Sequence, residues 1–427
     1  MTLADIHALF LQSSGIVIDT RKITPNAFFV ALKGDRFDAN TFAAEALQLG
    51  ASYVLIDNAS YFIDDRTIVV SDALTTLQEL AHYHRTYLGL PIIALTGSNG
   101  KTTTKELIHA VLSQKYACKA TVGNLNNHIG VPLTLLSFDS KTKIGIVEMG
   151  ANHQKEIEFL CALASPDFGY ITNFGKAHLE GFGGVEGVIK GKSEMYGYLR
   201  AHHKKVFVNA DDPIQLAQSE SIDAYTFSAY NTQVDVNITA IQANPFVSLS
   251  HEGAKVQSQL IGLYNATNIC AAITIGTYFS VPISDIHSAI ANYIPTNNRS
   301  QLLQKNGNEI ILDAYNANPS SMAVAVANFA QLQHSSKIMI LGDMFELGEE
   351  SAAEHAALVK LVSQTTVPCT YFVGPSFYAH RIDSQVMQFF NSYADFEQFC
   401  TTTPFQNALL LIKGSRGMAL ERIVELL

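Results

Sequence analysis

Leu95-Thr96-Gly97-Ser98-Asn99-Gly100-Lys101-Thr102-Thr103-Thr104-Lys105-Glu106 places a phosphate-binding turn in the first third of the chain. The apolar run from Pro91 to Leu95 ends in glycines, a lysine and hydroxyl residues. Leu107, Ile108, Val111 and Leu112 then recur at the spacing of one helical face. Strand, glycine-rich turn and helix, in that order, are what a phosphate loop requires. The glycines let backbone N–H groups curl around an anion, and the helix N-terminus adds the positive end of its dipole. Lys101 can reach β- and γ-phosphates, and Thr102 can offer a hydroxyl to Mg²⁺. Only Ser98 and Asn99 separate the glycines, where the common loop has about four residues, so this loop is a variant.

The rest of the composition limits what that loop serves. A chain of 427 residues has room for two or three domains with large cores. Apolar content of 48% with 15% charged residues is that of an ordinary globular protein. A formal net charge of −10 argues against nucleic acid or an anionic membrane as the main partner. The five cysteines (Cys118, Cys161, Cys270, Cys369, Cys400) lie far apart, which predicts free thiols in a reducing cytoplasm. Met1-Thr2-Leu3-Ala4-Asp5 carries no basic segment leading into an apolar core, so no signal peptide is expected, and no apolar run is long enough to span a bilayer.

Along the chain, residues 1 to about 85 mix short apolar runs with turns such as Lys33-Gly34-Asp35. Asp19-Thr20-Arg21-Lys22 follows the apolar Ile16-Val17-Ile18; a ligand contact and a solvated turn both suit it. A break falls at Leu88-Gly89-Leu90-Pro91. From about 90 to 295 apolar strands alternate with helical patterns, the mark of a parallel α/β sheet. Ile144 to Val147 leads into Glu148, and Phe168 to Thr172 into Asn173 and then His178. Ligands of open α/β sheets sit at the carboxyl ends of strands, where these polar residues fall. After Pro295 strands restart at Ile310, Ile338, Tyr371 and Leu409, separated by helical stretches such as Ser351 to Leu361, which predicts a second doubly wound domain.

Glu148 ends a strand expected beside the phosphate-loop strand, where a carboxylate can hold Mg²⁺. His178 and Lys192, taken singly, suit ordinary structural or surface roles, and an ammonium has no lone pair for a metal. Asn265 and Asn268 open an apolar helix, so each is a candidate cap, although their amides also match an adenine edge. Arg299 stands at the joint between the middle and last regions, where it can close on a phosphate or form an interdomain ion pair. Asp313-Ala314-Tyr315-Asn316-Ala317-Asn318-Pro319-Ser320-Ser321 crowds hydrogen-bonding groups into one strand-to-helix turn, with Ser320 or Ser321 available as its cap.

Together these pieces resemble the Mur ligases, the ATP-dependent amide-bond formers of peptidoglycan precursor synthesis, and their folylpolyglutamate synthetase superfamily. The resemblance spans the chain. It rests on Asp19 to Pro25, Phe29 to Gly34, the phosphate loop, Gly123 to Pro132, Glu148-Met149-Gly150, His178 to Gly183, Asp313 to Pro319, Leu341 to Gly348 and Lys413-Gly414-Ser415-Arg416. The Asn-Ala-Asn-Pro and Gly-Asp-Met segments resemble the branch that adds D-alanyl-D-alanine. The resemblance implies three α/β domains: a UDP-substrate-binding domain over residues 1–87, a central phosphate-loop ATPase with a parallel sheet over 88–295, and a Rossmann-like domain over 296–427. It implies ATP and Mg²⁺ as cofactors, with UDP-N-acetylmuramoyl-tripeptide and D-alanyl-D-alanine as the molecules joined, through an acyl phosphate.

By the same resemblance Gly97, Ser98, Asn99, Gly100, Lys101, Thr102 and Thr103 hold ATP, with Lys101 as the phosphate lysine. Thr102 and Glu148 are magnesium ligands. His178 lies beside a second metal, and Lys192 is the lysine that relatives carbamoylate, which replaces an ammonium by an anion with oxygen lone pairs. Asn265 and Asn268 lie near adenine, and Arg299 and Asp313 touch ATP. Thr20, Arg21, Lys33, Asn126, Asn127, Tyr315, Asn316 and Asn318 bind the other substrates; Thr20 stands where many relatives carry serine. A monomer that closes on hinges near residues 88 and 296 is expected. The competing readings are a ligase adding another amino acid, an ATPase acting as a motor or switch, and a UDP-sugar-binding module with a decayed ATPase.

Overall fold

The computed structural model describes residues 1–427 as three large sheets, each flanked by helices, with a small two-stranded ribbon of Lys33–Gly34 and Phe37–Asp38. The first sheet is wholly parallel, with strands Ile16–Val17, Phe28–Val30, Tyr53–Ile56 and Thr67–Val69 in sequence order. The helix Ala73–Leu88 follows and ends at Gly89, whose φ of 61° forms its left-handed cap. This helix is tied to the next unit along its length. Gln78 Nε2 donates to His128 O at 2.9 Å, and Arg85 donates to Ser165 O at 2.8 Å and to Asp167 at 2.9 Å.

The middle sheet has nine strands. The phosphate-loop strand Ile92–Thr96 lies between Ile144–Glu148 and Phe168–Ile171, parallel to both. The chain therefore runs to one side of that strand first and crosses to the other later. The carboxyl ends where the order reverses form the crevice in which doubly wound sheets bind ligands. Parallel pairing continues through Lys205–Asn209 and Asp223–Ser228 to Val236–Ala243. The purely parallel sheet expected from the sequence is extended by two antiparallel strands, Phe246–His251 and Ala254–Ile261. Only short turns separate the strands from Val236 to Ile261, and strands joined by short turns must run antiparallel.

The helix Lys101–Leu112 buries Leu107, Ile108, Val111 and Leu112 completely, as its periodicity predicts. It packs against the apolar helix Ala266–Tyr278, where a Cβ on Gly276 would stand 2.4 Å from Val111 Cγ1. The third sheet has six strands. Gln301–Lys305 pairs antiparallel at its edge with Asn308–Asp313; Leu409–Lys413, Lys337–Gly342, Cys369–Val373 and Met387–Phe390 continue in parallel. No helix is long and apolar enough to cross a membrane.

Candidate active site

The phosphate loop is shaped by two glycines that no other residue could replace without strain. Gly97 has φ +142°, and a Cβ there would stand 2.0 Å from Thr172 Oγ1 and 3.0 Å from Thr172 N. Gly100, at φ +79°, opens the helix, and its Cβ would meet Asn268 Oδ1 at 2.6 Å. Between them the loop is stitched to the end of the neighbouring strand. Ser98 Oγ donates to Gly175 O at 2.7 Å, Asn99 N to Asn173 Oδ1 at 3.0 Å, and Thr172 Oγ1 to Asn99 O at 2.6 Å. Lys101 Nζ folds back onto Gly97 O at 2.7 Å. Burial lowers the pKa of Lys101, Glu148 nearby opposes that, and the Arg299 charge adds to it.

A cavity of about 1040 Å³ opens at this loop, lined from the middle unit by Ser98 to Thr103, Asn126, Asn127, Glu148, His178, Asn265 and Asn268. Its opposite wall is Arg299, Asp313, Tyr315, Asn316, Asn318 and Lys413. Residues some 200 positions apart thus share one space.

Glu148 ends its strand beside the loop strand, as expected, and is almost wholly buried. Its Oε1 accepts from Asn126 Nδ2 at 2.8 Å, while Oε2 has no partner. A buried carboxylate oxygen left open is costly unless a cation or donor meets it. With the Thr102 hydroxyl on the same cavity wall, this donor set fits Mg²⁺, which takes one or two carboxylate or hydroxyl ligands and completes its shell with water and phosphate. No group of three His, Cys, Asp or Glu side chains forms an all-protein metal cage.

His178 sits at φ 53° and its Nδ1 bonds the carboxylate of Glu346, itself at φ 61° and carried by the third unit. That bond lowers the pKa of Glu346. The neighbouring Lys176 pairs with Glu354 at 2.5 Å and donates its backbone N–H to Ser320 Oγ at 2.8 Å. Lys192 does not reach the cavity wall. It is buried beneath it, with Nζ 3.1 Å from Ala151 O and 5.0 Å from the Phe182 ring centroid. Burial, and then the charge of Lys101, hold its pKa well below the ordinary lysine value.

Three local readings are corrected. Asn265 takes the N-cap position but its side chain makes no capping hydrogen bond, and Asn268 lies inside the helix. Asn268 Oδ1 accepts from Thr104 Oγ1 at 3.0 Å and its Nδ2 donates to Asn265 Oδ1 at 2.9 Å, so the pair ties the loop helix to the helix Ala266–Tyr278. Arg299 makes no ion pair; its guanidinium stacks 3.6 Å over the Tyr315 ring, with Nε buried and unpartnered. The cap of the helix Pro319–Gln331 is Asn318, in a capping box with Ser321, rather than Ser320 or Ser321.

Asn126 and Asn127 line the cavity, but Asn127 Oδ1 is engaged by the backbone N–H groups of Ile129 and Gly130. Asp313 meets Lys413 at 2.6 Å. Thr20, Arg21, Lys33 and Gly97 do not line the cavity. Thr20 opens a short 3₁₀ turn capped by Asp19, and Arg21 is exposed and pairs with Asp19, whose carboxyl it holds at about 2. Lys33 pairs with the buried Asp57 at 2.7 Å. Glu346 and Lys413 are the site residues that sequence reasoning passed over, although both stand in motifs already singled out.

Models of three family domains match the chain in order: "Mur ligase family, catalytic domain" over residues 12–92, "Mur ligase middle domain" over 95–276, and "Mur ligase, glutamate ligase domain" over 298–416. The chain is 33% identical to the UDP-N-acetylmuramoyl-tripeptide–D-alanyl-D-alanine ligase of Bacillus subtilis, covering 96% of this chain and 92% of that protein. It is 34% identical to the enzyme of the same name from Escherichia coli, covering 99% and 95%. Among solved structures, MurF from Acinetobacter baumannii superposes with a TM-score of 0.86 at 29% identity, over 99% of this chain and 98% of that one. MurF from Thermotoga maritima in complex with ADP gives 0.84 at 26%, over 98% and 97%. With three domain models matched in order and relatives 33% and 34% identical along nearly their whole length, the chain belongs to the Mur ligase family.

Proposed function

We propose that this protein is an ATP-dependent ligase that joins D-alanyl-D-alanine to UDP-N-acetylmuramoyl-tripeptide. The observation that carries the reading is the shared cavity: the phosphate loop and Glu148 face Asp313, Tyr315 and Asn318 of the third unit across one space. The full-length similarity to enzymes of that name supports the choice of substrates. Three large sheets support a division into units 1–87, 88–295 and 296–427. The cavity is lined within one chain, which supports a monomer as the acting unit, and five free cysteines suit the cytoplasm.

A carboxylate is a poor acyl donor, so it takes the γ-phosphoryl group of ATP first, releasing ADP and giving an acyl phosphate. The amine of D-alanyl-D-alanine then attacks the acyl carbon, and phosphate leaves with the C–O bond. The first step brings two anions together. Lys101 leaves Gly97 O for the phosphates, the loop N–H groups and helix N-terminus add partial positive charge, and Arg299 supplies a second cation from the joint. Glu148 and the Thr102 hydroxyl would hold Mg²⁺, which when bound would supply charge neutralisation at the phosphates. Asn265 and Asn268 brace the loop helix beside the adenine. His178 and Lys192 would hold a second metal; a lysine whose pKa is lowered by burial can add its amine to CO₂, releasing a proton and leaving a carbamate. Asp313, tethered by Lys413, and Asn316 with Tyr315 face the incoming dipeptide. Thr20, Arg21 and Lys33 hold the UDP end, with Asn126 and Asn127 along the peptide. Orientation of bound reactants supplies about 7–11 kcal/mol of barrier reduction, which favours an enzyme that closes.

The test is phosphate release and product formation with UDP-N-acetylmuramoyl-tripeptide, with and without D-alanyl-D-alanine, and with a panel of other amines. Product with D-alanyl-D-alanine alone is expected, and Lys101→Met should reduce it by about 100-fold or more. Preference for another amine, or phosphate release that needs neither substrate, would overturn the assignment.

A further inference from the structure

Glu106 closes the quoted phosphate-loop stretch and has no part in the reading above. It stands on the loop helix five residues past Lys101 and does not line the cavity. Both of its carboxylate oxygens are engaged by one other segment. The Tyr293 hydroxyl donates to Oε2, and Asn297 Nδ2 donates to Oε1 at 2.9 Å. Tyr293 and Asn297 belong to the connection that leaves the helix Ile283–Asn292 and enters the third sheet at Gln301. Arg299 lies in that connection, flanked by Asn298 at φ 56° and Ser300 at φ 49°.

The far end of the connection is held by both units. Ser300 Oγ is 2.8 Å from Tyr264 OH, on the middle unit, and Ser300 N donates to Asp313 Oδ1 at 3.2 Å. Asn298 O accepts from Tyr315 N at 3.1 Å. Arg299 is therefore suspended between two anchored points, with its Nε buried and unpartnered. The upstream anchor is the carboxylate of the same helix that begins with Lys101.

We propose that Glu106 is a positioning residue: it pins the interdomain connection to the phosphate-loop helix, so that Arg299 arrives at the triphosphate in register with Lys101. This rests on the role given to Arg299 above. The chemistry of the anchor requires a carboxylate. A phenol and an amide N–H are both donors, and Glu106 offers two acceptor oxygens, whereas a glutamine would offer one and turn an N–H₂ against a donor. Tyr293 stays a donor, because its burial and the Glu106 charge both raise its pKa.

The experiment is a double-mutant cycle on the full chain with Glu106→Gln, Arg299→Gln and the pair. It reads kcat, affinity for a non-hydrolysable ATP analogue by calorimetry, and thermal midpoint. Misplacement by about 1 Å can cost about 100-fold in rate, so Glu106→Gln is expected to lower kcat by about 10- to 100-fold with analogue affinity nearly unchanged. The double variant should be no slower than Arg299→Gln alone within about twofold, since coupled sites are not additive. Tyr293→Phe, which removes one donor and keeps the ring, should reproduce the kcat loss even if Glu106→Gln folds poorly. Losses that multiply, or normal kcat in both Glu106→Gln and Tyr293→Phe, would reduce Glu106 to a stabilising tether and overturn the proposal. Full turnover by Arg299→Gln would also overturn it while leaving intact the ligase reading, which rests on product formation by the parent chain.

Discussion

Asn318 donates its side-chain amide to Asn99 Oδ1 at 2.7 Å, so a residue of the third unit directly touches the pair that separates the phosphate-loop glycines. The same side chain caps its own helix, accepting from Ser321 N at 2.9 Å. One residue therefore serves local stability and interdomain closure with different atoms. Asn318→Ala should lose about 1 kcal/mol through the cap and lose turnover as well. Asn318→Asp keeps a capping oxygen, so its stability should stay within about 0.5 kcal/mol of the parent, yet it sets a negative charge on the wall facing the triphosphate. Denaturation and kinetics on the two variants separate the roles; equal turnover in Asn318→Asp and the parent would deny the second.

Gly97→Ala should be among the most damaging single-methyl changes in the chain. The added Cβ would lie 2.0 Å from Thr172 Oγ1 and 3.0 Å from Thr172 N, at a φ of +142°. Backbone strain and overpacking each cost about 1–3 kcal/mol. Thr172→Ala in the same chain removes the first contact but neither the second nor the strain, so it should restore only part of the thermal midpoint. Complete restoration would show that the strain is slight.

Lys192 offers a test in which activity and stability move in opposite directions. Its folded pKa lies well below 10.5, chiefly because it is buried, so the unfolded chain binds more protons throughout the interval between. Stability of the uncarbamoylated protein therefore rises with pH across that interval, by up to about 1.4 kcal/mol per pH unit for one proton. Lys192→Met, which has no such term, should abolish ligation while unfolding later than the CO₂-free parent at neutral pH. The gap should narrow as pH approaches 10.5. Denaturation of both chains from pH 7 to 10 checks this, and a constant gap would mean that Lys192 titrates normally in the fold.

A histidine relay gives the first unit its own pH dependence. His84 Nε2 lies 3.0 Å from Phe138 O and must donate, because a carbonyl only accepts; His84 Nδ1 then accepts from His7 Nε2 at 3.0 Å. His84 is neutral in this arrangement, and burial lowers both pKa values below 6.5. The unfolded chain binds more protons than the folded one as pH falls through 6.5, so this contribution is complete above that value and is lost below it. Urea denaturation at pH 7.5 and 5.5 should show the loss, and His7→Phe should make it shallower. An unchanged slope in His7→Phe would place the sensitivity elsewhere.

How far the chain could be read without coordinates depended on the separation of the interacting atoms along it. Gly97, Gly100, Lys101 and Thr102 act through dihedral freedom and helix geometry within one turn, so their order alone identified the loop. Glu148 followed from a rule about strand ends, and sheet order confirmed its place beside the loop strand. The antiparallel strands Phe246–His251 and Ala254–Ile261 were absorbed into the parallel pattern, because alternation of apolar residues reveals that a strand forms but not the direction of its partner.

The pairings at and beside the cavity join positions 100 to 219 apart: Asp313 with Lys413, His178 with Glu346, and Asn99 with Asn318. Nothing in the local spacing of either member specifies the other, since such contacts arise only when separate cores bring their surfaces together. The chemistry available to the chain is thus written in short motifs. Which carboxylate meets which cation, and that Asn265 and Asn268 brace a helix instead of capping one, belongs to packing, where burial forces each polar atom to find whatever partner the neighbouring element presents.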